Sequence, residues 1–155
     1  MSIFPTKILL ATDGSVEAEL ALSTAVDLAN STSCELHVVH VGSQYHPDLT
    51  TLRDPALFEE KLQELEQETQ EVLNGQVRKI EAAGATVQEA HLRKGRKDQE
   101  IVHLGEKIGA GLIVMGSRGM GGIRRALMGS VSDSVMRHAH CPVLVVRKEQ
   151  HQAAL

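Results

Sequence analysis

The stretch GSRGMGGIRRALMGSVSDSV, residues 116–135, concentrates glycine, arginine and serine directly after the apolar run Leu112-Ile113-Val114-Met115. Gly116 and Gly119 bracket a turn where the backbone either passes close to a neighbour or takes positive φ, which costs glycine nothing sterically. Further on, Gly129-Ser130 opens a segment of helical period, with Ser130 as its cap and Asp133 placed to complete a capping box. A helix start offers unpaired N–H groups and about half a unit of positive charge, and so attracts phosphate. Two glycine turns and that helix start together can wrap a polyphosphate, with Arg118, Arg124 and Arg125 adding charge nearby. Singly, these residues read as turn formers and a cap; as a set following a strand they read as an anion site.

Elements of two kinds must position this set. Five short apolar runs, Lys7–Asp13, Glu35–Val41, Thr86–Leu92, Leu112–Ser117 and Pro142–Val146, have the length and β-branched content of strands. Between them lie segments of helical period at 16–30, 55–83, 98–108 and 130–139. The first places Leu20, Ala21, Ala25, Leu28 and Ala29 on one face; the second repeats Phe58, Leu62, Leu65, Val72, Leu73, Val77 and Ile80 at threes and fours. Strand alternating with helix predicts an α/β domain: an open parallel sheet of five strands with right-handed crossovers and helices on both faces. Ligands in such sheets sit beyond the C-terminal strand ends, where the strand order reverses. The stretch from Gly42 to Asp54 reads as a surface loop or a lid, and residues 148–155 as a frayed tail after a single domain over 1–147.

Composition narrows the function further. The chain has 155 residues, 42% of them hydrophobic but only 2% aromatic, so its core must be aliphatic. Sixteen basic against twenty acidic residues leave a net charge of -4, which argues against a duplex DNA surface while permitting a local anion site. No basic leader precedes an apolar stretch and no run has the length of a membrane span, so the expectation is a soluble, cytoplasmic protein binding neither nucleic acid nor membrane. Cys34 and Cys141 form no CxxC pair, and buried thiols are expected. Within His138-Ala139-His140-Cys141 the adjacent and alternate positions do not converge on one metal, and His37 and His40 fall on opposite faces of a strand, so no protein-held metal is expected. The basic run Arg93, Lys94, Arg96, Lys97 reads as a solvated face.

The phosphate-binding forms G-x-x-x-x-G-K-[ST] and G-x-G-x-x-G do not occur. What stands instead is G-x-x-G from Gly116 to Gly119, nine residues, then Gly129-Ser130, with Asp13-Gly14-Ser15 after the first strand. From KILLATDGS to CPVLVV the chain resembles the universal stress protein family, in its ATP-binding branch. That resemblance implies a Rossmann-like sheet of the adenine nucleotide alpha hydrolase-like type, strand order 3-2-1-4-5, and a homodimer through the last strand, PVLVV. It implies ATP beyond strands one and four, with Mg2+ held mainly through the ATP phosphates. With that order two strands separate the cysteines, too far for a disulfide.

Carried over by position, Gly116 and Gly119 match the first glycine pair, with Met115 and Arg118 beside them. Gly129 and Ser130 match the second pair, where the amides of Ser130, Val131 and Ser132 face the outer phosphates. Asp13 matches the acidic residue facing the ribose, preceded by Ala11 and Thr12; its alternative is a turn former ahead of the first helix. Val41 matches the position whose backbone reads the adenine edge, its alternative being an ordinary core residue. Gly95-Arg96-Lys97 departs from the Gly-x-Pro frequent in the family after the third strand. The resemblance implies a nucleotide-dependent regulatory module in the stress response, acting on protein partners the sequence does not name. The other reading is a slow ATP hydrolase or nucleotidyl-transfer enzyme, for which the sequence supplies no evident base or Walker lysine.

Overall fold

A computed structural model describes residues 6–43, 53–117 and 129–148. The order is β1 (Lys7–Ala11), α1 (Val16–Thr32), β2 (Glu35–Gly42), α2 (Pro55–Ala82), β3 (Val87–Lys94), α3 (Lys97–Ile108), β4 (Leu112–Gly116), α4 (Ser130–His138) and β5 (Val143–Val146). Every predicted strand and helix is present, and the all-parallel sheet has the expected order β3-β2-β1-β4-β5.

Side-chain alternation along the central strands divides the core into two layers. Ile8, Leu10, Leu36, Val38 and Val114 face α1 and α2. Leu9, Ala11, Val39, Val41, Ile113 and Met115 face α3 and α4. Cys34 packs against the first layer and Cys141 against the second, and neither forms a disulfide. Burial pushes the Cys141 thiol up in pKa against the opposing influence of the Ile113 amide, which keeps it a weak nucleophile.

Local chemistry sets the helix ends. Ser15 caps α1 by accepting the Ala18 amide at 3.2 Å, and Asp54 caps α2 by accepting the Ala56 amide at 3.0 Å, with Pro55 in the first turn. The buried stripe of α1 is Ala18, Ala21, Leu22, Ala25, Val26 and Ala29, so the predicted face is rotated. Leu20 is exposed because Leu22 and Val26 take the sheet side at the same 3–4 spacing. In α2 only Leu73, Gln76 and Ile80 are buried, whereas Phe58 and Val72, predicted inward, are exposed. Twenty-eight helical residues span about 42 Å, longer than the roughly 26 Å of the 8-residue strands beneath them, and the first half of α2 overruns the sheet.

The β2–β3 pairing contains one irregularity. Leu36 pairs with Val87 but His37 pairs with Glu89, so Gln88 is an extra residue on the edge strand.

α3 and α4 are tied by Asp98, which is nearly buried and accepts hydrogen bonds from the Ser134 hydroxyl at 2.7 Å and from Arg96 Nε at 3.0 Å. The Ser134 hydroxyl, the Gln99 amide and Arg96 hold this carboxyl below its ordinary pKa, against the effect of burial. A depressed carboxyl pKa contributes stability that is present above the unfolded value, about 4, and is lost as pH falls through the folded one. Asp98→Asn should therefore cost about 1–2 kcal/mol at neutral pH and flatten the loss of stability between pH 5 and 3, both read from urea unfolding midpoints.

Candidate functional site

β1 and β4 lie side by side at the centre of the sheet, and the chain winds outward from β1 through β2 and β3, then restarts at β4 and continues to β5. The strand order reverses between them, which opens a crevice at their C-terminal ends. Pairing of Ala11 with Val39 and of Leu10 with Val114, continued for two residues, sets Asp13 level with Val41 and Thr12 level with Gly116. Ala11, Thr12, Asp13, Val41, Met115 and Gly116 thus share one end of the sheet. The side chains of Ala11, Val41 and Met115 are buried in the layer under α3 and α4, where Val131 packs against them. What these residues present to the crevice is backbone.

Thr12 is fixed on two sides. Its hydroxyl donates to Gln76 Oε1 on α2 at 2.9 Å, and its carbonyl accepts from His40 Nδ1 at 2.9 Å. The Thr12 amide continues the ladder by donating to the Val39 carbonyl. Asp13 Oδ1 accepts the Ser15 amide at 2.9 Å, an Asx turn that leads into α1. The turn-former reading of Asp13 is thus realised, with its carboxylate just beyond the C-terminal end of β1. Gly14 takes φ 81°, the left-handed region, which explains glycine at that turn.

The start of α4 is held over the end of β4 by one carbonyl. Ser117 O accepts both the Gly129 amide at 2.6 Å and the Ser132 hydroxyl at 2.8 Å. The Ser117 amide in turn donates to Val146 on β5 at 2.9 Å, and Ser117 and Ser132 are both buried. Gly129, not Ser130, occupies the cap position, and no side chain caps this helix. Ser130 is the first helical residue with an exposed side chain, while Asp133 pairs with Arg137 at 3.1 Å instead of closing a capping box. The amides of Ser130, Val131 and Ser132 precede the first intrahelical bond, so they are donors the helix itself does not use.

Gly116 owes its identity to close approach. A Cβ there would lie 2.7 Å from Glu17 Cβ and 2.8 Å from the Glu17 carbonyl carbon, in the first turn of α1. The neighbour that the sequence required is therefore protein backbone. Arg118, Gly119, Arg124 and Arg125 lie outside the described residues, as does most of the Gly42–Asp54 loop. In the histidine tract, His138 Nδ1 donates to the Ser134 carbonyl at 2.8 Å and His140 Nε2 to the Ala110 carbonyl at 3.1 Å.

Four residues that shape this end of the sheet escape sequence reading: Gln76, His40, Glu17 and Ser117. Gln76 leaves one signal, a polar residue inside the Leu73–Ile80 apolar stripe. The other three act through backbone contacts with distant segments, which composition does not encode. Gly116→Ala should destabilise the protein by about 1–3 kcal/mol through overpacking against α1, measured by chemical unfolding, while Gly14→Ala should lose stability through backbone strain alone.

The model of the Universal stress protein family matches residues 5–147. A universal stress protein assignment is also carried by a Staphylococcus aureus (strain USA300) chain, 38% identical over 144 residues, 92% of this chain and 84% of that one. A Staphylococcus haemolyticus (strain JCSC1435) counterpart is 36% identical over 144 residues, covering 92% and 85%. Among solved structures, the universal stress protein UspA from Lactobacillus plantarum superposes with TM-score 0.74 at 24% identity, covering 92% of this chain and 97% of that one. One universal stress protein solved in complex with cAMP gives 0.69 at 24% identity, covering 94% and 99%. An Arabidopsis thaliana family protein with AMP bound gives 0.66 at 20% identity, covering 97% and 96%. With its sheet order, its glycine-bordered crevice and a family match over residues 5–147, this chain belongs to the universal stress protein family.

Proposed function

We propose that the chain binds an adenine nucleotide, ATP in the first instance, across the C-terminal ends of β1 and β4, and works as a nucleotide-dependent regulatory module in the stress response. The observation that carries this reading is the anchoring of the α4 N-terminus to the Ser117 carbonyl at the point where strand order reverses. That anchoring aims the amides of Ser130, Val131 and Ser132 and the positive end of α4 at the crevice, a donor set suited to phosphate oxygens. Asp13 stands where a carboxylate can accept from ribose hydroxyls, and Val41 offers backbone N–H and C=O for an adenine edge. Gly119 and Arg118, carried over by position in the family pattern, would join the phosphate side, and Mg2+ would be held through the phosphates. The fold shared with structures that hold cAMP and AMP supports an adenine nucleotide in general.

β5 forms one edge of the sheet, pairs with β4 alone among the described strands and exposes Leu144. An apolar edge of this kind favours pairing with a second copy across a two-fold axis, which supports a homodimer. No helix among the described residues is long and apolar enough to cross a membrane.

Isothermal calorimetry with ATP tests the site. Gly119→Val and Gly129→Val should lose binding while circular dichroism and gel filtration remain as for the parent, because the new side chains occupy the phosphate path. Unchanged affinity in both variants would remove the site from this position. Phosphate release followed over hours should show slow turnover at most; many turnovers per minute would favour the hydrolase.

A further inference from the structure

A second cluster of chemistry-bearing side chains lies on β2 and β3, away from the crevice. His37 and His91 are each 5% exposed and face one another, with His37 Nδ1 3.2 Å from His91 Nε2. Their ring planes are 18° apart and their centroids 5.5 Å apart. Glu35 Oε2 stands 3.4 Å from His37 Nε2, and Glu89 Oε2 stands 3.9 Å from His91 Nε2. The ligating atoms of His37, Glu89 and His91 all lie within 4.8 Å of one another. His37 is four residues upstream of Val41, roughly 13 Å along the strand, so this cluster is separate from the nucleotide crevice.

The geometry points to a site for a borderline divalent transition-metal ion, zinc being the best match, ligated by His37 Nδ1, His91 Nε2 and the Glu89 carboxylate. Two nitrogens on one tetrahedral zinc, each bonded at 2.0–2.1 Å, lie about 3.3 Å apart, close to the observed 3.2 Å. The hydrogen-bond network orients the first ring: the Glu35 carboxylate accepts from His37 Nε2–H, leaving the Nδ1 lone pair directed at His91. A carboxylate behind a ligating histidine is the usual outer partner in zinc sites. In the metal-free pair His91 Nε2–H donates to His37 Nδ1, and the metal takes the place of that shared proton after a small rotation of the rings. Glu89 has a side chain 65% exposed, so it can swing the short distance needed and gives the ion a path from solvent.

The donor set also selects the class of ion. Two imidazole nitrogens favour zinc and its neighbours over magnesium or calcium, which prefer oxygen. The positive charges of Arg93 and Lys107 also act on His91 and oppose the influence of Glu89. Ionic attraction alone is therefore weak here, and nitrogen ligation must supply the affinity.

The test uses the full chain without an affinity tag, stripped with EDTA and titrated with Zn2+ against a chromophoric chelator, with Co2+ absorption as a coordination readout. The expected result is one equivalent per chain, undisturbed by excess Mg2+, with visible Co2+ bands of a four- or five-coordinate ion. Glu89→Gln, a surface change that spares the fold, should weaken binding by about tenfold or more, and His37→Ala and His91→Ala should abolish it. Should either histidine variant unfold by circular dichroism, Glu89→Gln and the imidazole NMR signals of His37 and His91 on zinc addition carry the decision. Calorimetry with ATP on Glu89→Gln should match the parent, so failure of the nucleotide reading leaves this test intact. No stoichiometric zinc, equal affinity in Glu89→Gln, or binding that disappears only with His138→Ala or His140→Ala would overturn the assignment.

Discussion

Ser117 is a three-way junction. Its amide reaches β5, while its carbonyl takes one hydrogen bond from the Gly129 amide and another from the Ser132 hydroxyl. Because Ser117 is almost wholly buried, these bonds form away from competing water, where leaving one unmade costs more than making it gains. The start of α4 is consequently fixed to the strand end by its own chemistry. The crevice inherits that order on the side of α4.

The opposite wall is ordered by a different device. Thr12 is gripped from α2 by Gln76 and from β2 by His40, and Asp13 turns the chain into α1 through the Ser15 amide. Both bonds on Thr12 come from groups far away in sequence, so this wall depends on the finished sheet. Gly116 brings the two walls together, since the first turn of α1 rests where its side chain would be. A glycine read as room for a ligand proves to be room for a helix.

Much of this was legible in the chain itself. Short apolar runs and 3–4 periodicity give the elements because a buried parallel sheet needs continuous apolar strands and one-sided helices. Rotation of the buried face of α1 was not legible, because Leu20 and Leu22 differ only in which one meets the sheet. The exposed half of α2 escaped for a related reason: periodicity reports amphipathicity, not the length of the surface underneath. Ser130 and Asp133 have the spacing of a capping box, yet the buried Ser132 hydroxyl spans Gly129 and Ser117 and sets the entry to α4. His37 and His40 do fall on different faces, as alternation requires, and the neighbour His37 finds belongs to another strand. Strand-to-strand partners follow from register, which no local pattern states.

Register also carries a consequence for how this edge of the sheet can change over time. Gln88 is one residue more than the β2–β3 ladder can pair, and it shifts the frame in which everything after it is read. Were Gln88 drawn into the ladder instead of bulging out, His91 would come level with His40 while Leu92 would trade its place over α2 for the opposite layer. Substitutions along β3 alter one side chain at a time, but loss of the bulge with Gln88 retained would turn the rest of the strand inside out. The outermost strand could therefore shorten by Gln88 itself and keep every later pairing, whereas the kink that Gln88 makes is what holds His91 beside His37.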